Sequence, residues 1–284
     1  MRFRLSMSPT SGAARRRLRA WPATVVILGL GLGLGACSKM NDVTGSIGRE
    51  TALPQGDAAL RQYAEQAGRR YDANPRDKAN TLTYARALRA LSRHSEAVAV
   101  LQGLAIHYPH DHEVLGAFGK SLADAGRLAE AADVLTRAHS PERPNWSILN
   151  AQGSVADQLG DHEKAQGYYV AALKIAPNEP SALSNLGLSY AMAKRLPEAE
   201  EHLRLAAQQR GADRRVRQNL SMVLALRGKF SEAEEIARRD LPPAEAASSV
   251  ASIRAMIAQS NTWREIQKLE PPGPARKPRA PRAG

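Results

Sequence analysis

A single cysteine, Cys37, stands in 284 residues, which excludes an intrachain disulfide and any metal site built from several thiolates. Aromatic residues make up only 5%, too few for a sheet sandwich, while a 43% hydrophobic content rich in alanine suits close helix packing. The spacings of hydrolase and nucleotide chemistry are missing as well: there is no HExxH, GxSxG, GxxxxGK or CxxC. The sequence therefore predicts no enzyme, no cofactor and no small-molecule substrate. A broad basic face is also lacking, despite a formal charge of +12. Ten of those surplus charges lie in two acid-free stretches, Arg2, Arg4, Arg15, Arg16, Arg17 and Arg19 at one end and Arg276, Lys277, Arg279 and Arg282 at the other. Between Cys37 and Glu270 the surplus is two, too little for the phosphate contacts that nucleic-acid binding needs.

What is present begins with an Arg-rich start followed by the apolar run Ala23–Leu34 and small residues. The uncharged stretch Ala20–Ser38 contains four glycines and a proline and is barely as long as the roughly 20 apolar residues of a membrane span. It reads as an export signal over residues 1–36. The run closes on Leu34-Gly35-Ala36-Cys37, which resembles the bacterial lipobox. Small residues there admit the lipoprotein signal peptidase, and a thiolate is the nucleophile that accepts the glyceryl group. The resemblance implies lipidation at Cys37, with palmitate-type chains. Each buried methylene contributes about 0.8 kcal/mol, so two or three chains anchor the protein without spanning the bilayer. Ser38, in place of the Asp that retains such proteins at the inner membrane, implies the outer membrane, facing the periplasm.

The body is an internal repeat with a period of about 34 residues. Ala97, Ala131, Ala165, Ala199 and Ala233 are equally spaced, and twelve residues before each stands a small residue, Ala85, Gly119, Gly153, Gly187 or Ser221. Leu101, Leu135, Tyr169 and Leu203 fill a recurring large apolar position, and Gly126, Gly160 and Gly228 recur where a helix-ending residue must often take φ > 0. This resembles the tetratricopeptide repeat (TPR), whose small positions let paired helices cross closely. The predicted fold is all-α, a right-handed TPR solenoid of about five helix pairs with helical caps.

The predicted organisation is a signal peptide over 1–36, a lipidated tether over 37–55 and a capping helix over 56–77. Five repeats then occupy 78–243, followed by a second capping helix over 244–269, with Val250, Ile253, Met256 and Ile257 on one face, and a basic Pro-rich tail over 270–284. The first repeat has Ser92 in place of the turn glycine, and the last has Ala237 where a large residue is usual, as terminal repeats tend to be atypical.

His107, His110 and His112 lie within six residues beside Asp111, but they fall between two repeats where solvated polar residues are ordinary, so no metal is assigned. A metal-dependent hydrolase at these histidines is the enzyme-class alternative. The carboxylates of PEAEE and SEAEE read as solvated helix faces. A TPR stack offers instead a concave groove lined by its first helices, suited to a partner's extended segment or helix. Asn185 and Asn219 occupy the same position of successive repeats, and an amide both gives and accepts hydrogen bonds. Asn150, one residue earlier in its repeat, Met192 and Met222 complete the candidate groove.

A lipobox followed by a TPR array is similar to the TadD-like lipoproteins of Tad/Flp pilus assembly, as are three short phrases, TGSI at 44–47, ARRDL at 237–241 and NTW at 261–263. That resemblance implies a pilotin-like periplasmic adaptor whose partners are proteins, the outer-membrane secretin or other pilus assembly components. The alternative in the same class is a general TPR envelope lipoprotein that scaffolds peptidoglycan hydrolases or outer-membrane protein assembly.

Overall fold

The computed structural model describes residues 53–54 and 56–269. The expected signal peptide, Cys37, nearly all of the tether, and the tail lie outside them. The described residues form twelve helices: α1 (Asp57–Ala73), α2 (Lys78–Ala90), α3 (His94–His107), α4 (His112–Asp124), α5 (Leu128–Thr136), α6 (Trp146–Gln158), α7 (His162–Ile175), α8 (Pro180–Met192), α9 (Leu196–Gln208), α10 (Arg214–Leu226), α11 (Phe230–Ala237) and α12 (Pro243–Leu269). Helices α2 to α11 make five antiparallel pairs, with α1 against the first pair and α12 against the last. The fold is the all-α TPR solenoid. No described helix is long and apolar enough to cross a membrane.

Local chemistry starts and stops each pair. The first helix of every repeat is capped by a side-chain acceptor at one recurring position: Asp77, Asp111, Asn145, Glu179 and Asp213 each accept a first-turn N–H, satisfying donors the helix cannot. Each first helix then ends in a Schellman turn. Arg93 N–H donates to the Leu88 carbonyl at 2.8 Å, and Arg127, Asp161, Arg195 and Lys229 repeat the bond to Leu122, Ala156, Tyr190 and Leu224.

The turn requires a left-handed residue. Gly126, Gly160 and Gly228 supply it at φ 75°, 85° and 78°, but Ser92 and Lys194 adopt it at 57° and 64°. A side chain in that region costs about 1 kcal/mol, so Lys194→Gly is expected to raise the melting temperature by about 2–4 °C. An unchanged or lower midpoint in thermal denaturation would show that the lysine side chain offsets its own strain.

The crossings within pairs depend on small residues. A Cβ at Gly119 would stand 2.6 Å from Leu135, at Gly153 2.5 Å from the Tyr169 ring, and at Gly187 2.7 Å from Leu203. Ala97, Ala131, Ala165, Ala199 and Ala233 are fully buried on the facing helices. In the last pair Ser221 holds the small position and its hydroxyl donates to the Ala233 carbonyl at 2.8 Å, while Ala237 is buried at the position that is large in the other pairs.

Consecutive first helices touch one another, α2 with α4, α4 with α6, α6 with α8 and α8 with α10, whereas consecutive second helices do not. The array therefore curves with its first helices inside. Two second helices are short, α5 and α11; α5 stops at Thr136, and Pro141 and Pro144, which cannot continue a helix, shape the loop that replaces its last turn around a Ser140–Arg143 bridge. At the far end α12 buries Ala246 and Val250 against α10 and α11, with Ile253 partly covered. Met256 does not share this face; it is 57% exposed, because the packed stripe runs through Ala246, Val250 and Ile253.

Candidate interaction groove

The inner face is built from α2, α4, α6, α8 and α10, and the amides singled out from the sequence lie on it, half-buried. Asn185 Nδ2 donates to Asn150 Oδ1 at 3.1 Å, and Asn219 Nδ2 donates to Ser184 Oγ at 3.1 Å. Each bond crosses from one repeat to the preceding one. It fixes the amide's orientation and leaves the Oδ1 of Asn185 and Asn219 available as acceptors. Met192 is 49% and Met222 36% exposed, so apolar surface lies beside the amides. The candidate residues are thus brought together, but Asn150 and Ser184 act partly as internal braces for the amides that follow them.

Nearer the first repeats the inner face is ionic. Arg89 Nε donates to Asp124 at 2.6 Å, and Lys120 Nζ to Ser147 Oγ at 2.7 Å. Of the three histidines, His107 closes α3, His110 lies in the connection and His112 opens α4. Asp111 beside them is committed elsewhere: it caps α4 and binds Lys78 Nζ at 2.7 Å.

Two buried polar clusters escape the sequence reading. In the first, Asp157 on α6 accepts from Tyr169 Oη at 3.0 Å, Ser189 Oγ at 2.8 Å and His162 Nδ1 at 2.8 Å, tying α6, α7 and α8 together. Burial and the adjacent Asp157 carboxylate push the Tyr169 hydroxyl well above its ordinary pKa. Serine, histidine and aspartate meet here, but hydroxyl and imidazole both donate to the same carboxylate. The imidazole is therefore not placed to take the serine proton, and the cluster braces rather than catalyses.

The second cluster corrects an expectation. Glu200, within PEAEE, is not on a solvated face: it is 5% exposed and bound by Arg204 at 2.7 Å, Lys229 at 2.7 Å and Arg227. Arg204 also reaches Glu232 at 2.5 Å. Burial alone would raise the Glu200 pKa, but hydrogen bonds from Lys229, Arg204 and Arg227 outweigh it and pull it down to about 2. The cluster joins α9 to α11 and to the turn before it.

Residues 82–145 and 150–214 match the tetratricopeptide-repeat family model. No sequence among the curated proteins matches the chain significantly. Among solved structures, a thermophilic TPR protein of Thermus thermophilus is 21% identical, with 59% of this chain and 91% of that one covered at a TM-score of 0.53. PilW, a widely conserved type IV pilus biogenesis factor, is 17% identical over 68% of this chain and 91% of its own, at 0.59. The APC/C hetero-tetramer Cut9-Hcn1 aligns at 15% identity over 68% of this chain and 40% of the matched chain, at 0.56. At these identities the likeness is one of fold. Repeats of this family are as a rule protein-interaction scaffolds without catalysis of their own.

Proposed function

We propose that this tetratricopeptide-repeat protein is a lipid-anchored envelope adaptor that holds a segment of a partner protein on its inner face and serves pilus assembly of the Tad/Flp type. The observation that carries the reading is the pair of oriented amides: Asn185 and Asn219 are each turned by a bond to the preceding repeat, which sets their carbonyl oxygens as acceptors for a main chain. The lipobox at Cys37, the phrases shared with TadD-like lipoproteins, and a fold likeness to a type IV pilus biogenesis factor support the finer assignment. The outer-membrane secretin is the proposed partner.

Substituting Asn185 and Asn219 together by Ala is expected to weaken capture of the secretin by about a hundredfold, since each lost bond to a buried partner group costs about 1–3 kcal/mol. Helix content should hardly change, because alanine is the better helix former. The control is Gln208→Ala, at the exposed end of α9. Binding measured by co-purification and titration decides the matter. If the control abolishes capture and the double variant retains it, the groove assignment fails.

The anchor is tested separately. Cys37→Ser is expected to give a folded protein that takes up no labelled palmitate and leaves the membrane fraction. Persisting label and sedimentation with outer membrane would overturn the anchor. Unchanged secretin multimers and piliation in cells lacking the gene would remove the pilus assignment and favour a general envelope role.

A further inference from the structure

The inner face changes character along the array. On α8, Asn185, Leu188 and Met192 lie at i, i+3 and i+7, and on α10 Asn219, Met222 and Leu226 repeat the stripe in the following repeat. All six are half-buried or exposed. The matching stripe of α6 is Ala151, Ser154 and Gln158, again uncharged. In α2 and α4 the same positions hold Arg86, and Lys120 with Asp124.

The absence of charge at these nine positions of three consecutive repeats departs from a chain that is 24% Asp, Glu, Lys and Arg. Helix α8 contains none of these. The only one in α6 is Asp157, which is buried and occupied by three donors behind the face. Those of α10 are Arg214, Arg215 and Arg217, confined to its first turn, where Arg217 pairs with Asp240 and the exposed Arg215 reaches Asp213. The second helices behind this surface carry many charges, so the run from Ala151 on α6 to Leu226 on α10 is an uncharged strip of the inner face, bounded in the last repeat by Arg215 one turn before Asn219.

From this we infer that repeats three to five bind an extended, uncharged stretch of a partner protein, its main-chain N–H groups meeting the Asn185 and Asn219 carbonyls and its apolar side chains the Leu188–Met192 and Met222–Leu226 stripes. A charged side chain brought onto this strip, away from Arg215, gives up water and finds no counter-ion, so such a segment is rejected rather than merely unassisted. The inference rests on the groove reading above and names the chemistry of its ligand.

A random ten-residue display library selected on the full chain, purified in mild detergent, tests it. The expected result is enrichment of peptides lacking Asp, Glu, Lys and Arg across a run of at least about five residues, the length an extended segment needs to pass over two repeats of helices packed about 10 Å apart. Their affinity should be unchanged between low and high salt. Adding one Asp or one Lys to an enriched peptide should weaken it about tenfold or more, and Leu188→Lys should shift enrichment toward acidic peptides. Acidic or basic peptides that enrich on the unaltered chain and are lost in the Asn185→Ala, Asn219→Ala variant would overturn the neutral ligand while leaving the groove in place. Enriched peptides that bind this variant undiminished would overturn the groove itself. A helical peptide as the winner, or no enrichment at all, would overturn the inference.

Discussion

Replacing Gly153 by alanine is expected to lower the melting temperature by about 4–8 °C, a loss of about 2 kcal/mol, although alanine is ordinarily the better residue inside a helix. The added Cβ would stand 2.5 Å from Tyr169 Cε1, with further ring atoms at 2.8 Å. The ring cannot swing aside freely, because it is fully buried and its hydroxyl is held by Asp157 at 3.0 Å. Either α6 and α7 separate, or the ring moves and the carboxylate loses a donor. Gly167 on α7 is the contrast: a Cβ there meets nothing within 4 Å, so Gly167→Ala is expected to stabilise by about 0.5–1 kcal/mol. Thermal melts of the two variants should move in opposite directions. Equal losses would mean that helix crossing is not what the small position protects.

The crossing was legible in the sequence because it recurs. Alanines one repeat apart and small residues twelve before them mark the two helices of each pair, and the large position sixteen beyond Gly119, Gly153 and Gly187 is the residue a Cβ would strike. The left-handed turn was legible only where glycine occupies it; at Ser92 and Lys194 nothing in the residue type announces the conformation. Between repeats the useful spacing is 35. Arg89 meets Asp124, Asn150 meets Asn185, and Ser184 meets Asn219, because each first helix packs on the next with a one-residue offset. Asn150 therefore looked out of register with Asn185 and is its partner. The buried clusters were illegible for a different reason. Glu200 sits among other glutamates in an amphipathic phrase, and the groups that bury it, Arg227 and Lys229, lie 27 and 29 residues downstream, where only the packing of the last two repeats brings them back.

Glu200→Gln is expected to destabilise the protein by up to about 3 kcal/mol at neutral pH and by much less in acid. The folded-state pKa of Glu200 is depressed from 4.5 to about 2, so the folded protein binds this proton less readily than the unfolded chain. Stability from the carboxylate is fully present above the unfolded value and is lost as pH falls from about 4.5 toward about 2. The fall from 4.5 to about 2 corresponds to about 3 kcal/mol, reduced to the extent that water screens the partners, of which Lys229 is 41% exposed. The amide keeps the shape but leaves Arg204, Arg227 and Lys229 facing one another without their shared counter-charge, and breaking a buried pair from one side is the costly way to break it. Urea midpoints of the parent and the variant should therefore lie well apart at pH 7 and converge by about pH 3, where the linkage leaves only about 1 kcal/mol. Because the cluster clamps α9 to α11, the last repeat and α12 should lose amide protection first in the variant, ahead of α4 and α5. A separation of midpoints that persists unchanged at pH 3 would mean that Glu200 acts through packing and not through its charge.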